Sequence, residues 1–315
     1  MDSLSFLDKT KAFLRLIRWP NLVMMALSLV LIRWLLFYPL QIPVVLSDFH
    51  YLLLIFSTVC MGAMGYIVND LFDLENDRVN KPKRITIGKS ISTRFAWNAT
   101  YFLFLMGAAI GWYLGQISGR WMYGLINSIT GFWLYLYASD FKGRPLLGNI
   151  LISFLSAGVL TYPIFFDVLP RWPLDTNDSG RQIALILCIY FAFAFLISLM
   201  RELVKDLQDT EGDKKVRLRT VPLAWGNKVA RALVFFIGGL VSVGLIYLLV
   251  GMAEGDPYSV FYLAVFVLLP LLASLLISIR AKKPSDYKNA SLLLKICMLD
   301  AILSIAFITI SFLWL

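Results

Sequence analysis

Nine apolar stretches, at about 20–38, 51–70, 96–116, 121–139, 147–168, 182–204, 229–250, 258–280 and 290–314, are each long enough to cross the ~30 Å hydrocarbon core of a bilayer as a helix. Lipid offers no partner to a backbone amide, so each stretch must satisfy its hydrogen bonds internally. The expected fold is therefore all-α: an integral membrane bundle of nine transmembrane helices forming a single domain over 1–315, with the lipid bilayer as its surroundings. Composition agrees, since 59% hydrophobic residues and a mean hydropathy of +0.74 over 315 residues exceed what a water-soluble domain carries.

Charge fixes the expected orientation. Of the 29 Lys and Arg, 24 fall in 1–19, 71–95, 140–146, 201–231 and 280–289, while the intervening connections carry Arg120, Arg171 and Arg181. This positive-inside asymmetry places the N-terminus in the cytoplasm and the C-terminus outside, in the cell (inner) membrane as a multi-pass protein. The net charge of +9 is then a topology signal, with anionic lipid or substrate as a second use; it argues against nucleic acid, and no obligate protein partner is inferred. Residues 1–19 interleave Leu4, Leu7, Phe13, Leu14 and Ile17 with Lys9, Lys11, Arg15 and Arg18, lack a cleavage-site pattern, and read as an interfacial N-terminal helix that stays attached. Cys60, Cys188 and Cys297 fall inside spans and read as buried packing residues. His50, the single histidine, is expected in an outer loop, which excludes histidine catalysis. Two cations interrupt the spans: Arg33 is expected to snorkel to the outer surface, and Lys295, a turn or more into the last span, is a residue that could face a site.

The pattern Asp-x-x-Asp-x-x-x-Asp occurs twice, as Asp70, Asp73 and Asp77 and as Asp206, Asp209 and Asp213, each time where an apolar run ends. Offsets of three and seven put the carboxylates of each triad on one helical face, where like charges repel. They also sit at helix C-termini, where an acid costs on the order of 0.3–1 kcal/mol against the macrodipole. Two local rules broken twice in the same way point to a hard divalent cation, and Mg²⁺ is the expected cofactor. Neither site has the ligand pattern of an EF-hand, and no phosphate-binding glycine loop of the P-loop type is present.

The connections that follow, 71–95 and 201–228, are expected to be cytoplasmic active-site loops, with Gly212 relaxing the helix end so that Asp213 turns inward. In the first, Arg78, Lys81, Lys83 and Arg84 follow the acids directly and suit the charge of a phosphate group. Metal plus phosphate at a membrane face, backed by an apolar interior, suits a prenyl diphosphate donor whose tail needs a greasy tunnel. Loss of diphosphate would leave an allylic cation for a membrane-embedded acceptor to capture. Tyr137, Tyr162 and Phe165 are aromatic candidates for stabilising that cation, although in a chain with 15% aromatic residues plain bundle packing is the leading reading of each.

These motifs resemble the UbiA superfamily of intramembrane prenyltransferases, across essentially the whole chain. Asn69 to Asp77 is similar to its Asn-Asp-x-x-Asp-x-x-x-Asp signature, and Asp209 to Asp213 to its Asp-x-x-x-Asp signature. The resemblance implies that Asn69, Asp73, Asp209 and Asp213 lead in holding Mg²⁺, with Asp77, Asp70 and Asp206 in support. Tyr137 and Lys142, followed by Asn149, look like the family's tyrosine–lysine and Gly-Asn segment, and Arg18 with Asn21 resembles its Arg-x-x-Asn start of the first helix; all five become site candidates by that likeness. Arg201, Glu202 and Lys205 with Asp206 look most like the branch of geranylgeranylglyceryl-phosphate geranylgeranyltransferases, although Arg84-Ile85-Thr86-Ile87-Gly88 stands where that branch has Arg-Pro-x-x-x-Gly. A phosphorylated glyceryl acceptor would need an anion site, for which Lys142, Arg144 and the basic cluster from Lys214 to Arg219 are available; an aromatic acid such as a hydroxybenzoate, homogentisate or naphthoate would need less charge. A cation-coupled transporter is the reading from another class, but transporter sites sit near the midplane, whereas these acids lie at one face.

Overall fold

The computed structural model describes residues 5–75, 77, 85–171, 179–215 and 218–314. Among them every regular element is helical, and a single isolated bridge joins Ile87 and Ile91. In chain order the helices are α1 (Phe6–Leu16), α2 (Trp19–Val30), α3 (Asp48–Phe72), α4 (Thr93–Ile117), α5 (Leu125–Ser139), α6 (Leu147–Gly158), α7 (Ser179–Lys215), α8 (Val221–Trp225), α9 (Asn227–Met252), α10 (Pro257–Tyr262), α11 (Leu269–Arg280) and α12 (Pro284–Trp314). Short polar residues start several of them: the hydroxyls of Ser5, Ser47 and Ser92 and the carboxylate of Asp256 each accept from the amide three residues on. Gly88, at φ +85, makes the tight reversal between Ile87 and Ile91 that a residue with a Cβ would adopt only under strain.

Eight helical segments among the described residues are long and apolar enough to cross a bilayer. Against the expectation of nine, the stretch 121–139 does not form one long helix: it starts as a 3₁₀ turn, Trp121–Gly124, and continues as the 15-residue α5. Three crossings include π-helical turns, Leu31–Phe37, Ile164–Val168 and Leu263–Leu268. Large apolar side chains such as Phe102, Leu105, Phe236, Val243 and Tyr247 lie exposed on the helix surfaces, as a lipid-facing exterior requires.

The contacts group the chain into two compact units. The first holds residues 1–27, 44–142 and 165–173. Here α3 packs on α4 and α5, and the approach is close because Gly107, Gly111 and Gly115 recur every fourth residue along α4. A Cβ on Gly115 would lie 2.7 Å from the backbone nitrogen of Gly124, so these backbones touch. Between the helices Asn127 donates to Ser57, whose hydroxyl donates to the Gly107 carbonyl at 2.7 Å. The N-terminal α1 is amphipathic: Ala12 and Leu16 pack with Ile67, Leu71 and Ala96, while Phe6, Leu7 and Leu14 stay exposed.

The second unit holds residues 28–43, 143–164 and 174–315. Its centre is α7, which packs against α6, α9 and α12, with Met200, Leu203, Val204, Leu271, Leu294 and Cys297 in the core. α7 and α12 are joined by the Tyr190–Ser304 hydroxyl hydrogen bond at 2.7 Å.

Four expectations are corrected. The 201–228 connection is no loop at its start, because α7 runs unbroken through Gly212 to Lys215; Glu, Leu, Lys and Gln continue as good helix formers after the hydropathy falls, and Leu203, Val204 and Leu207 keep one face buried. Arg33 does not snorkel: it is 1% exposed, with its guanidinium 5.1 Å from the centre of the Tyr38 ring, five residues on along a π turn. Cys188 is exposed on α7, whereas Cys60 and Cys297 are buried as expected. His50 lies in the first turn of α3, bonded to Ser47 at 2.7 Å and to Tyr113 at 3.1 Å.

Candidate active site

In the first unit the acidic motif straddles the end of α3. Asp73 caps the helix by donating its amide to the Asn69 carbonyl at 3.0 Å, and the Asp77 amide reaches the Asp73 carbonyl at 2.8 Å. The helical path therefore continues past the cap, and Asp70, Asp73 and Asp77 stay on one face. Asn69 donates to the Asp73 carboxylate at 3.0 Å, and the Lys142 ammonium donates to both the Asn69 amide oxygen, at 3.3 Å, and the Asp73 carboxylate. A cation thus already sits where these two oxygens converge.

Asp70 is held from another side. The guanidinium of Arg18 donates to it at 2.9 Å and lies 4.9 Å from the centre of the Tyr66 ring, while Asn21 donates to the Tyr66 hydroxyl at 3.1 Å. Arg18 sits in the left-handed region, φ +49, between α1 and α2, a conformation that costs roughly 1–2 kcal/mol for an L-residue and is found where a side chain must be aimed. Tyr66 escaped the sequence reading. Its signal was present: Tyr66, Asn69, Asp70 and Asp73 follow at offsets of three, four and seven, one face of α3. Asp70 and Asp77 also line a small cleft with Leu74, Ile85, Thr86 and Ile87. Tyr137 is half-buried on α5. Arg78, Lys81, Lys83 and Arg84 lie outside the described residues.

In the second unit Asp206, Asp209 and Asp213 ride on the last turns of α7. Asn149, from the first turn of α6, donates to the Asp206 carboxylate at 2.9 Å. One turn earlier Glu202 accepts from Arg201 at 3.3 Å and from Lys205 at 2.5 Å. At 100° per residue, Arg201, Glu202, Lys205, Asp206, Asp209 and Asp213 fall within an arc of about 140° on α7. Arg144 stands just before α6, its carbonyl accepting from the Gly148 amide at 3.2 Å.

Among the described residues no three acidic side chains converge on one point. The donor set nonetheless fits a hard cation, since Mg²⁺ takes one or two carboxylates and leaves its other positions to water and phosphate oxygens, and since the Asn69 and Asp73 oxygens already share a cation, the Lys142 ammonium.

Residues 29–297 match the UbiA prenyltransferase family. Digeranylgeranylglyceryl phosphate synthase of Methanopyrus kandleri is 33% identical over 269 residues, covering 84% of this chain and 88% of that protein. The enzyme of the same name from Methanobrevibacter smithii is 28% identical over 218 residues, covering 69% of this chain and 70% of its own. A solved structure of a digeranylgeranylglyceryl phosphate synthase superposes with a TM-score of 0.64 at 22% identity, over 95% of this chain and 99% of that one. The UbiA homolog from Archaeoglobus fulgidus bound to GPP and Mg²⁺ superposes with a TM-score of 0.59 at 15% identity, over 94% and 99%. On the family match and the M. kandleri relative together, the chain belongs to the UbiA prenyltransferase family.

Proposed function

We propose that this membrane prenyltransferase transfers a geranylgeranyl group from its diphosphate to the free hydroxyl of geranylgeranylglyceryl phosphate. What carries the reading is the pair of cation-ready clusters, Asn69–Asp73–Lys142 and Asn149–Asp206 with Asp209 and Asp213, in a chain whose relatives named digeranylgeranylglyceryl phosphate synthase match most of its length. We assign both motifs to donor binding, with Asn69, Asp73 and Asp77 of the first and Asp209 and Asp213 of the second as the residues that would hold Mg²⁺, which when bound neutralises the charge of the leaving diphosphate. Lys142 and Arg18 add positive charge for that group, with Arg78, Lys81 and Arg84 as further candidates. The allylic C–O bond breaks with its electron pair going to the diphosphate; the acceptor oxygen forms the new C–O bond and releases its proton.

The remaining assignments belong to the same reading. The charge asymmetry supports a cytoplasmic N-terminus, an external C-terminus and a donor site at the cytoplasmic face of the cell membrane. That orientation requires an odd number of crossings, and the turn and helix over 121–139 would be the ninth. The chain acts as one catalytic domain without an obligate protein partner.

The test is a panel of acceptors. Purified protein receives Mg²⁺ and labelled geranylgeranyl diphosphate with geranylgeranylglyceryl phosphate, 4-hydroxybenzoate, homogentisate or dihydroxynaphthoate, and products are separated by mass. Product with the glyceryl phosphate is expected; product from an aromatic acid alone would replace the acceptor while keeping prenyl transfer.

A further inference from the structure

We infer that Lys295 on α12, together with Arg201 on α7, forms the seat for the acceptor's phosphate, an inference that rests on the reading above. Both side chains are half-buried within the second unit. The two helices pack together and meet at Tyr190 with Ser304 and again at Arg201 with Lys295, which lie within electrostatic reach of each other; these two points run the helices antiparallel and put position 295 within a turn of Arg201. Like charges inside a membrane-spanning bundle are costly unless an anion joins them.

The hydrogen-bond partners of the two side chains leave room for that anion. Lys295 makes no hydrogen bond or ion pair among the described residues. Arg201 uses one terminal nitrogen on Glu202, which Lys205 also engages, while its buried Nε has no partner. A phosphate monoester, with up to two charges and three acceptor oxygens, matches a guanidinium edge plus an ammonium.

Position selects the acceptor over the donor. Arg201 lies eight residues before Asp209 and about 80° around α7 from it, roughly 12 Å along the axis on the membrane side, with Asp206 between them along the axis. In a glyceryl phosphate the nucleophilic hydroxyl is at most two carbons from the phosphate. A phosphate seated at Arg201 and Lys295 therefore holds the hydroxyl on the membrane side of the acidic motif, where the allylic carbon would project from a diphosphate held by Asp209 and Asp213.

The test measures steady-state transfer by Lys295→Met and Lys295→Arg in nanodiscs of phosphatidylcholine with and without phosphatidylglycerol. We expect Lys295→Met to raise KM for geranylgeranylglyceryl phosphate about tenfold to a hundredfold, the scale of one charge-assisted hydrogen bond, with KM for geranylgeranyl diphosphate and the thermal midpoint unchanged and with Lys295→Arg restoring most of the affinity. An unchanged acceptor KM in Lys295→Met, in a background where the native protein turns over the glyceryl phosphate, overturns the inference and leaves the acceptor reading intact. A rise in donor KM instead assigns the cations to the diphosphate and overturns it, as does an effect seen only with phosphatidylglycerol present, which assigns them to a lipid headgroup. A native protein inactive on the glyceryl phosphate overturns both readings.

Discussion

Lys142 and Asp73 form an ion pair in which the lysine ammonium also holds the Asn69 side-chain oxygen, so one cation bridges two of the oxygens assigned to the metal. A side-chain ammonium and a divalent ion compete for that point. Replacing Lys142 by Met removes the competitor and leaves the local charge more negative. The Mg²⁺ concentration for half-maximal activity should therefore fall roughly threefold to tenfold, while KM for the diphosphate donor rises because a phosphate-facing charge is gone. A Mg²⁺ titration of both proteins at saturating acceptor reads both effects.

Tyr66 should act on the site through Arg18. Tyr66→Phe keeps the ring under the guanidinium and loses only the Asn21 hydrogen bond, whereas Tyr66→Leu loses both. Activity should drop further in the leucine variant, by up to about tenfold relative to phenylalanine, the range of a partly buried cation–π contact. Equal activities in the two variants would remove the ring from the account.

The glycine-lined contact of α4 is a stability feature. Gly115→Ala puts a methyl group 2.7 Å from the Gly124 nitrogen, on backbone that cannot swing aside. Overpacking of this kind costs about 1–3 kcal/mol, read as a lowered thermal midpoint in detergent. Gly251→Ala on α9, where a Cβ meets open space, should leave the midpoint unchanged or raise it slightly.

Orientation is tested with single cysteines in a background lacking Cys60, Cys188 and Cys297. A cysteine at 214 should resist an impermeant thiol reagent in intact cells, and one at 176 should react. Reaction at 214 would invert the assigned topology.

The chain's apolar runs revealed an all-helical membrane protein, and eight of them are long helices, because span length and hydropathy are properties that lipid enforces locally. Motif resemblance singled out Asn69, Asp73, Lys142, Asn149 and Asp206 one by one, whereas the hydrogen bonds that join Lys142 to Asn69 and Asp73, and Asn149 to Asp206, come from the fold. What hydropathy concealed was the far end of α7, where helix propensity outlasts apolarity, so a loop was expected from 201 where the helix runs to Lys215. Arg33 was misplaced for a related reason: a π turn brings Tyr38 under it, and no residue pattern marks that turn. Tyr66 and the Gly107–Gly111–Gly115 series are marked in the sequence by spacing alone, a signal that aromatic and small residues share with ordinary helix packing.

The central claim is that the two aspartate motifs serve one donor-activating step. Its most direct measurement is the rate of prenyl transfer and diphosphate release by Asp73→Ala and Asp209→Ala at saturating Mg²⁺, alongside their thermal midpoints. Both residues lie outside the apolar core, so each variant should stay folded while both rates fall on the order of 10²–10³-fold, the scale of losing one preorganised electrostatic contact. EDTA should abolish activity of the native protein, and added Mg²⁺ should restore it. Near-native turnover in either folded variant would contradict the claim.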